Sequence, residues 1–106
     1  MGQAHLTIES SIADDGRTGR LSLGGELDLD GVDAVSRALD QLAERDVTSV
    51  EVDASGLTFL DSSGLRALLA GREQFRAMGA QLRVVNPSPS ITRVLEMTGT
   101  RSILEG

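Results

Sequence analysis

Apolar and polar residues alternate near the start of the chain with the two-residue period of a half-buried β-strand. The alternation covers residues 5–10 and returns over residues 20–24. Between the two runs, Asp14-Asp15-Gly16 is typical of a turn. The pattern therefore predicts an antiparallel hairpin at the N-terminal edge of a sheet.

The pattern then changes to the spacing of an amphipathic helix between residues 28 and 46. Apolar residues recur every three or four positions, at Val32, Val35, Leu39 and Leu42. This spacing places them on one helix face. Asp30 is predicted to cap the helix N-terminus, and Asp33 suits the positive end of the helix dipole in the first turn.

A second strand and helix follow in the middle of the chain. Residues 49–53 alternate like a short strand, and residues 54–56 are predicted to break it. A helix is predicted to start within residues 61–64 and to end at Gly79, a natural left-handed C-terminal residue. Its expected apolar face consists of Leu65, Leu68, Leu69, Phe75 and Met78.

The last third of the chain repeats the alternation of strand and helix. Residues 81–85 form a predicted strand, and a helix is predicted with Ser88 as its cap and Pro89 as its first residue. Residues 102–104 are predicted to form a last short strand. The order β-β-α-β-α-β-α-β indicates an α/β domain over residues 1–106, with a mostly parallel sheet of four to five strands covered by helices.

Composition excludes several classes of function. The chain has no cysteine and no lysine, which rules out disulfides, thiolate sites, Walker-type nucleotide hydrolysis and Schiff-base chemistry. The single histidine, His5, leaves no Ser-His-Asp triad, so we do not expect an enzyme. A net charge of −6 and two aromatic residues disfavour nucleic acid as a partner. Without a long apolar stretch or a signal peptide, we expect a cytoplasmic protein that does not enter the membrane.

Acidic residues are concentrated in the first half of the chain. Residues 1–56 carry 12 acidic side chains and four arginines, and the density peaks at Glu26, Asp28, Asp30 and Asp33. This cluster is interpreted either as a solvated loop and helix start or as a docking patch for a basic partner. It lacks the ligand spacing of a calcium loop, so no metal or cofactor is expected.

The tetrapeptide Asp61-Ser62-Ser63-Gly64 joins an apolar run to a helix. One interpretation is structural: a serine caps the helix and the glycine permits a tight turn. The other is regulatory, because the start of a helix accommodates a phosphate group. Phosphorylation would add roughly −1.5 to −2 charges there without disrupting the fold.

Three segments carry a resemblance to a known family. They are Gly-Glu-Leu-Asp at residues 25–28, Phe-Leu-Asp-Ser-Ser-Gly-Leu at residues 59–65 and Arg-Val-Leu-Glu-Met-Thr-Gly at residues 93–99. In content and order they resemble the single-domain anti-sigma factor antagonists, which have the STAS fold. The resemblance covers nearly the whole chain and implies that fold here.

The resemblance also implies a mechanism. The unphosphorylated antagonist would bind an anti-sigma factor that is also a serine kinase and so release the sigma factor. Phosphorylation at Ser62, with Ser63 as the alternative acceptor, would abolish binding, and a serine phosphatase would restore it. The implied partner-binding residues are Glu26, Asp28, Asp61, Ser62, Ser63, Gly64 and Leu65.

Two other functions are compatible with the same resemblance. The chain could be a non-phosphorylated STAS scaffold or accessory module of a signalling or transport complex, or a nucleotide-binding module, although it lacks a phosphate-binding loop. Family members usually continue into a further C-terminal helix, which is expected to be missing or truncated in a chain that ends at Gly106. Apolar surface left exposed would then promote dimerisation, so the chain is expected to be a monomer or a weak homodimer.

Overall fold

Four β-strands and five helical segments make up residues 5–106, the part of the chain that a computed structural model describes. The strands are β1 (Leu6–Ile12), β2 (Thr18–Leu27), β3 (Ser49–Leu60) and β4 (Gln81–Val85). The α-helices are α1 (Val32–Ala43), α2 (Ser62–Ala77), α3 (Pro89–Met97) and α4 (Arg101–Glu105), and a 3-10 turn (Leu29–Gly31) precedes α1.

The strands form one mixed sheet in the order β1-β2-β3-β4. β1 runs antiparallel to β2, whereas the β2–β3 and β3–β4 pairs are parallel. The predicted N-terminal hairpin and the mostly parallel α/β sheet are therefore confirmed.

The two faces of the sheet differ in polarity. Leu21, Val52 and Val84 are register neighbours on three strands, and all are buried in the same core as apolar residues from all four α-helices. One position away, Glu51 lies between two arginines, with Arg20 at 2.6 Å and Arg83 at 3.5 Å. The sheet thus buries one face under the helices and carries charged residues on the other.

β3 does not break at residues 54–56, contrary to the prediction. Ala54 is buried, and the strand continues to Leu60. The pairing passes from Ser22–Asp53 to Gly24–Gly56, so β3 carries one extra residue there. This is a β-bulge, which interrupts the alternation without ending the strand.

The predicted last strand is also wrong, because residues 101–105 form helix α4. Leu104 is fully buried whereas the neighbouring Ile103 is 43% exposed. Arg101 forms ion pairs with Glu105 at 3.2 Å and with Glu96 at 2.6 Å. A single buried anchor and an i,i+4 ion pair suit one turn of helix better than a strand.

Two predicted details of the helix ends need correction. Asp30 does not cap α1; instead the Asp28 carboxylate accepts the backbone N–H of Asp30 at 3.1 Å and opens the 3-10 turn. Met78 is half exposed and lies past the end of α2, so it is not part of the buried face. Gly79 has a φ of +80°, which confirms the predicted left-handed residue after the helix.

Ser88 occupies the predicted N-cap position of α3, but its hydroxyl does not cap the helix. It donates instead to the backbone oxygen of Leu57 in β3, at 2.6 Å. Ser90 makes a longer bond of 3.3 Å to the oxygen of Thr58. The start of α3 is therefore tied to the part of β3 that leads into the 61–64 segment.

Between residues 5 and 106, no helix has the length and apolar character that a membrane span requires.

Candidate functional site

The carboxyl ends of β2 and β3 meet at one edge of the sheet. Leu27 and Leu60, the last residues of the two strands, are register partners. Just beyond them, the backbone N–H of Asp61 donates to the oxygen of Leu27 at 3.3 Å. Ligand sites of α/β sheets commonly lie outside this end of parallel strands. The two sequence segments that carry the predicted site residues are therefore neighbours in space.

Gly64 allows α2 to begin directly against these strand ends. A Cβ atom at this position would lie 2.6 Å from the backbone oxygen of Leu27 and 2.8 Å from the side chain of Leu60. Real Cβ atoms essentially never come within 3.0 Å of another group. Gly64 is itself buried, so its part in the site is to permit this close approach.

Asp61, and not a serine, caps α2. Its carboxylate accepts the backbone N–H of Gly64 at 2.9 Å, and its backbone oxygen accepts the N–H of Leu65 at 2.9 Å. Within residues 5–106, the hydroxyls of Ser62 and Ser63 make no hydrogen bond to other protein groups. The structural interpretation of these serines as helix caps is therefore wrong, and Asp61 has that role.

The two serines differ in accessibility. Ser62 is exposed as the first residue of α2, and Ser63 is half-buried. The start of a helix presents unpaired N–H groups and the positive end of the helix dipole. A hydroxyl at this position can therefore exchange its proton for a phosphoryl group whose negative charge the helix tolerates.

The remaining predicted partner-binding residues differ in how far their side chains are exposed. Glu26 is exposed near the end of β2, opposite Phe59 of β3. Asp28 is half-buried, and its carboxylate holds the 3-10 turn. Leu65 is also half-buried and packs against the core, so it presents only part of its side chain to solvent. Glu26 is thus the most accessible acidic group of the predicted set.

Three exposed residues near the site are absent from the prediction. Leu29 is 71% exposed in the 3-10 turn, and Phe59 is 47% exposed in β3. Arg66 lies one helical turn after Ser62, is exposed, and forms no ion pair within the part of the chain that the structure describes. The sequence signal for Leu29 is an apolar residue between two aspartates.

A shallow apolar groove adjoins the two serines. We call it the Leu29 groove; its volume is about 260 Å³, and it is lined by Leu29, Val32, Ser63, Arg66, Ala67 and Ala70. It runs between the start of α1 and the first turns of α2.

Across residues 5–106, no group of three or more His, Cys, Asp or Glu side chains is arranged to hold a metal ion.

Comparison with sequence families and relatives gives consistent matches. The family model described as "Mlab, STAS domain" matches residues 10–105. An anti-sigma F factor antagonist from Paenibacillus polymyxa is 30% identical over 83 residues, which cover 77% of this chain and 71% of the relative. Its counterpart from Lysinibacillus sphaericus is 29% identical over 80 residues, covering 74% and 68% of the two chains.

Solved structures show the same fold. The crystal structure of an anti-sigma factor antagonist from Mycobacterium paratuberculosis superposes with a TM-score of 0.81 at 24% identity and covers 93% of this chain and 82% of that one. The Bacillus cell fate determinant SpoIIAA in its phosphorylated form gives a TM-score of 0.68 at 26% identity, covering 94% and 89%. The fold expected from the three sequence segments is confirmed.

Proposed function

We propose that this chain, which belongs to the STAS domain family, is an anti-sigma factor antagonist controlled by phosphorylation of Ser62. The observation that carries the proposal is the state of Ser62: an exposed hydroxyl at the first residue of α2, where Asp61 already supplies the helix cap. The hydroxyl is therefore free for a chemical role. Relatives named anti-sigma factor antagonists support the partner class.

The proposed partner is an anti-sigma factor that is also a serine kinase. The unphosphorylated chain would bind it and release the sigma factor, with the partner contacting Ser62, Ser63 and the nearby acidic residues Glu26 and Asp28. These acidic groups favour a basic partner surface. Because these partners act on transcription, the proposal also assigns the chain to the cytoplasm.

Phosphorylation would abolish binding by placing a charge in a close interface. The phosphoryl group would add roughly −1.5 to −2 charges next to the carboxylate of Asp61. A change from 99% bound to 1% bound requires roughly 5.5 kcal/mol of differential interaction. A desolvated, unpaired charge can supply an effect of that size, since its burial is expensive. A serine phosphatase would then restore the binding form.

A kinase assay tests the acceptor. The chain is incubated with ATP and candidate anti-sigma factor kinases, and the modified residue is mapped by mass spectrometry. We expect modification at Ser62, and Ser62→Ala should abolish it. Ser102→Ala is a matched control that should leave modification intact, because Ser102 is also an exposed helical serine but lies in α4. Modification at another residue with Ser62 untouched would exclude the assignment.

A binding assay tests the switch. Ser62→Asp should remove binding to the anti-sigma factor. Ser62→Ala should retain it, and so should Ser102→Asp, the matched control on α4. Equal binding by Ser62→Asp and wild type would instead favour a scaffold or accessory STAS module.

A further inference from the structure

The Leu29 groove combines features of a protein-contact site. Leu29 is among the most exposed large apolar residues within residues 5–106, at 71%. Isolated exposed apolar residues are common on protein surfaces. Leu29, however, lines a cleft together with the apolar residues Val32, Ala67 and Ala70. Covering an apolar cleft of this kind with an apolar group is favourable, because it removes apolar surface from water.

The volume of the groove indicates what it can hold. Small-molecule sites typically measure about 300–1,000 Å³ and enclose most of the ligand. At about 260 Å³, the Leu29 groove is smaller and open to solvent. It therefore suits a single side chain that projects from a protein surface.

Charged residues on the two sides of the groove indicate which charges a partner surface would carry around that side chain. Asp28, Asp30 and Asp33 lie on the turn and helix start that also carry Leu29. Arg66 lines the opposite side, on α2. A complementary surface would place a basic residue toward the aspartates and an acidic or polar group toward Arg66.

The groove is continuous with the phosphorylation site of the proposed function. Ser63 lines the groove and directly follows Ser62 in the first turn of α2. A partner that covers Ser62 would therefore lie next to Leu29. This continuity makes the same partner the best candidate for the groove.

We propose that the Leu29 groove receives one apolar side chain of the anti-sigma factor, from a segment with a basic residue that faces Asp30 and Asp33. The inference rests on the proposed function and extends it to a second contact. A few side chains that fill well-packed, desolvated pockets commonly carry most of the binding energy of an interface.

The test measures the Kd for the anti-sigma factor identified in the kinase assay, by isothermal titration calorimetry. Leu29→Ala should raise the Kd about 30-fold, which corresponds to about 2 kcal/mol. Ala70→Leu, which fills the groove from an exposed position, should also raise it at least about 10-fold. Met97→Ala is the matched control, because Met97 is 79% exposed but lies on α3. Its Kd should change by no more than about twofold.

Each outcome separates this inference from the proposed function. If wild type binds and Leu29→Ala binds equally well, the groove contact is excluded and the antagonist function stands. If wild type binds no anti-sigma factor, both are excluded. Sedimentation velocity tests a second copy as the occupant: loss of a wild-type dimer in Leu29→Ala, with unchanged anti-sigma factor binding, would overturn the proposal.

Discussion

Gly64→Ala tests how tightly α2 is seated on the strand ends. The added Cβ would meet the backbone oxygen of Leu27 at 2.6 Å and the Leu27 side chain at 2.8 Å. Leu27 is fully buried at the end of β2, so neither group can withdraw without moving the strand. Overpacking of this kind costs about 1–3 kcal/mol.

Helix propensity offsets part of that cost. Alanine is favoured over glycine by about 1 kcal/mol in a helix interior, and less in the first turn. A backbone clash lies at the upper end of the overpacking range, so we expect Gly64→Ala to lower the free energy of unfolding by about 2 kcal/mol. For a chain of 106 residues this corresponds to a fall in Tm of about 8 °C.

Gly71→Ala is the matched control on the same helix. Its Cβ would also meet a neighbour at 2.6 Å, but this neighbour is the Cδ1 atom of Leu39, at the end of a flexible side chain. The full gain in helix propensity should offset most of that contact and leave a change within about 1 kcal/mol. The two variants therefore separate a backbone clash from a side-chain clash.

Urea unfolding followed by far-UV circular dichroism is the suitable assay, because the chain has no tryptophan or tyrosine. The midpoint should fall in Gly64→Ala while the m-value stays unchanged, as expected for a change in stability alone. A Gly64→Ala variant as stable as Gly71→Ala would refute the argument that the Leu27 carbonyl cannot move.

Three further predictions use the same unfolding assay. Asp61→Ala removes the cap of α2 and should cost about 1 kcal/mol, and an unchanged midpoint would contradict the cap. Ser88→Ala should cost about 1 kcal/mol, and more than Ser90→Ala, because its bond to β3 measures 2.6 Å against 3.3 Å. The hydrogen bond from the backbone N–H of Ser55 lowers the pKa of Asp53 in the folded chain. The ionised carboxylate therefore stabilises the fold fully at a pH above its unfolded pKa of about 3.8, and this stability is lost as the pH falls through the lower folded pKa. Asp53→Asn should therefore show a smaller loss of unfolding free energy than wild type on acidification below about pH 3.8; identical slopes would exclude this role.

The helices and strands that could be predicted from sequence are those long enough to show a regular spacing of apolar residues. The stripe through Val35 and Leu39 extends over several turns, and α1 followed as predicted. α4 has five residues, with Leu104 as its one fully buried side chain, and so few positions cannot distinguish a period of 2 from one of 3.6. The bulge between Asp53 and Gly56 resembles a strand end in the sequence, because it interrupts the alternation while pairing continues on both sides.

The site could be predicted only in part, since its details depend on contacts between distant segments. Asp61 and both serines are all good caps, and only the fold shows that the Asp61 carboxylate bonds to the N–H of Gly64. Leu29 lies three residues before Val32, a spacing compatible with a buried helical stripe. The chain forms a 3-10 turn there, and Leu29 projects into solvent.

The hydroxyls at the start of α3 have a consequence for how partners can approach. β4 ends at Val85, opposite Asp53, so the later part of β3 extends past its neighbour and has no strand partner on that side within residues 5–106. Ser88 and Ser90 donate to two of the carbonyl groups on this edge. An open edge invites strand addition by a peptide or by another copy, and groups that already accept hydrogen bonds are poor templates for it. Recognition at this end of the molecule should therefore use side chains and helix surfaces, not β-augmentation.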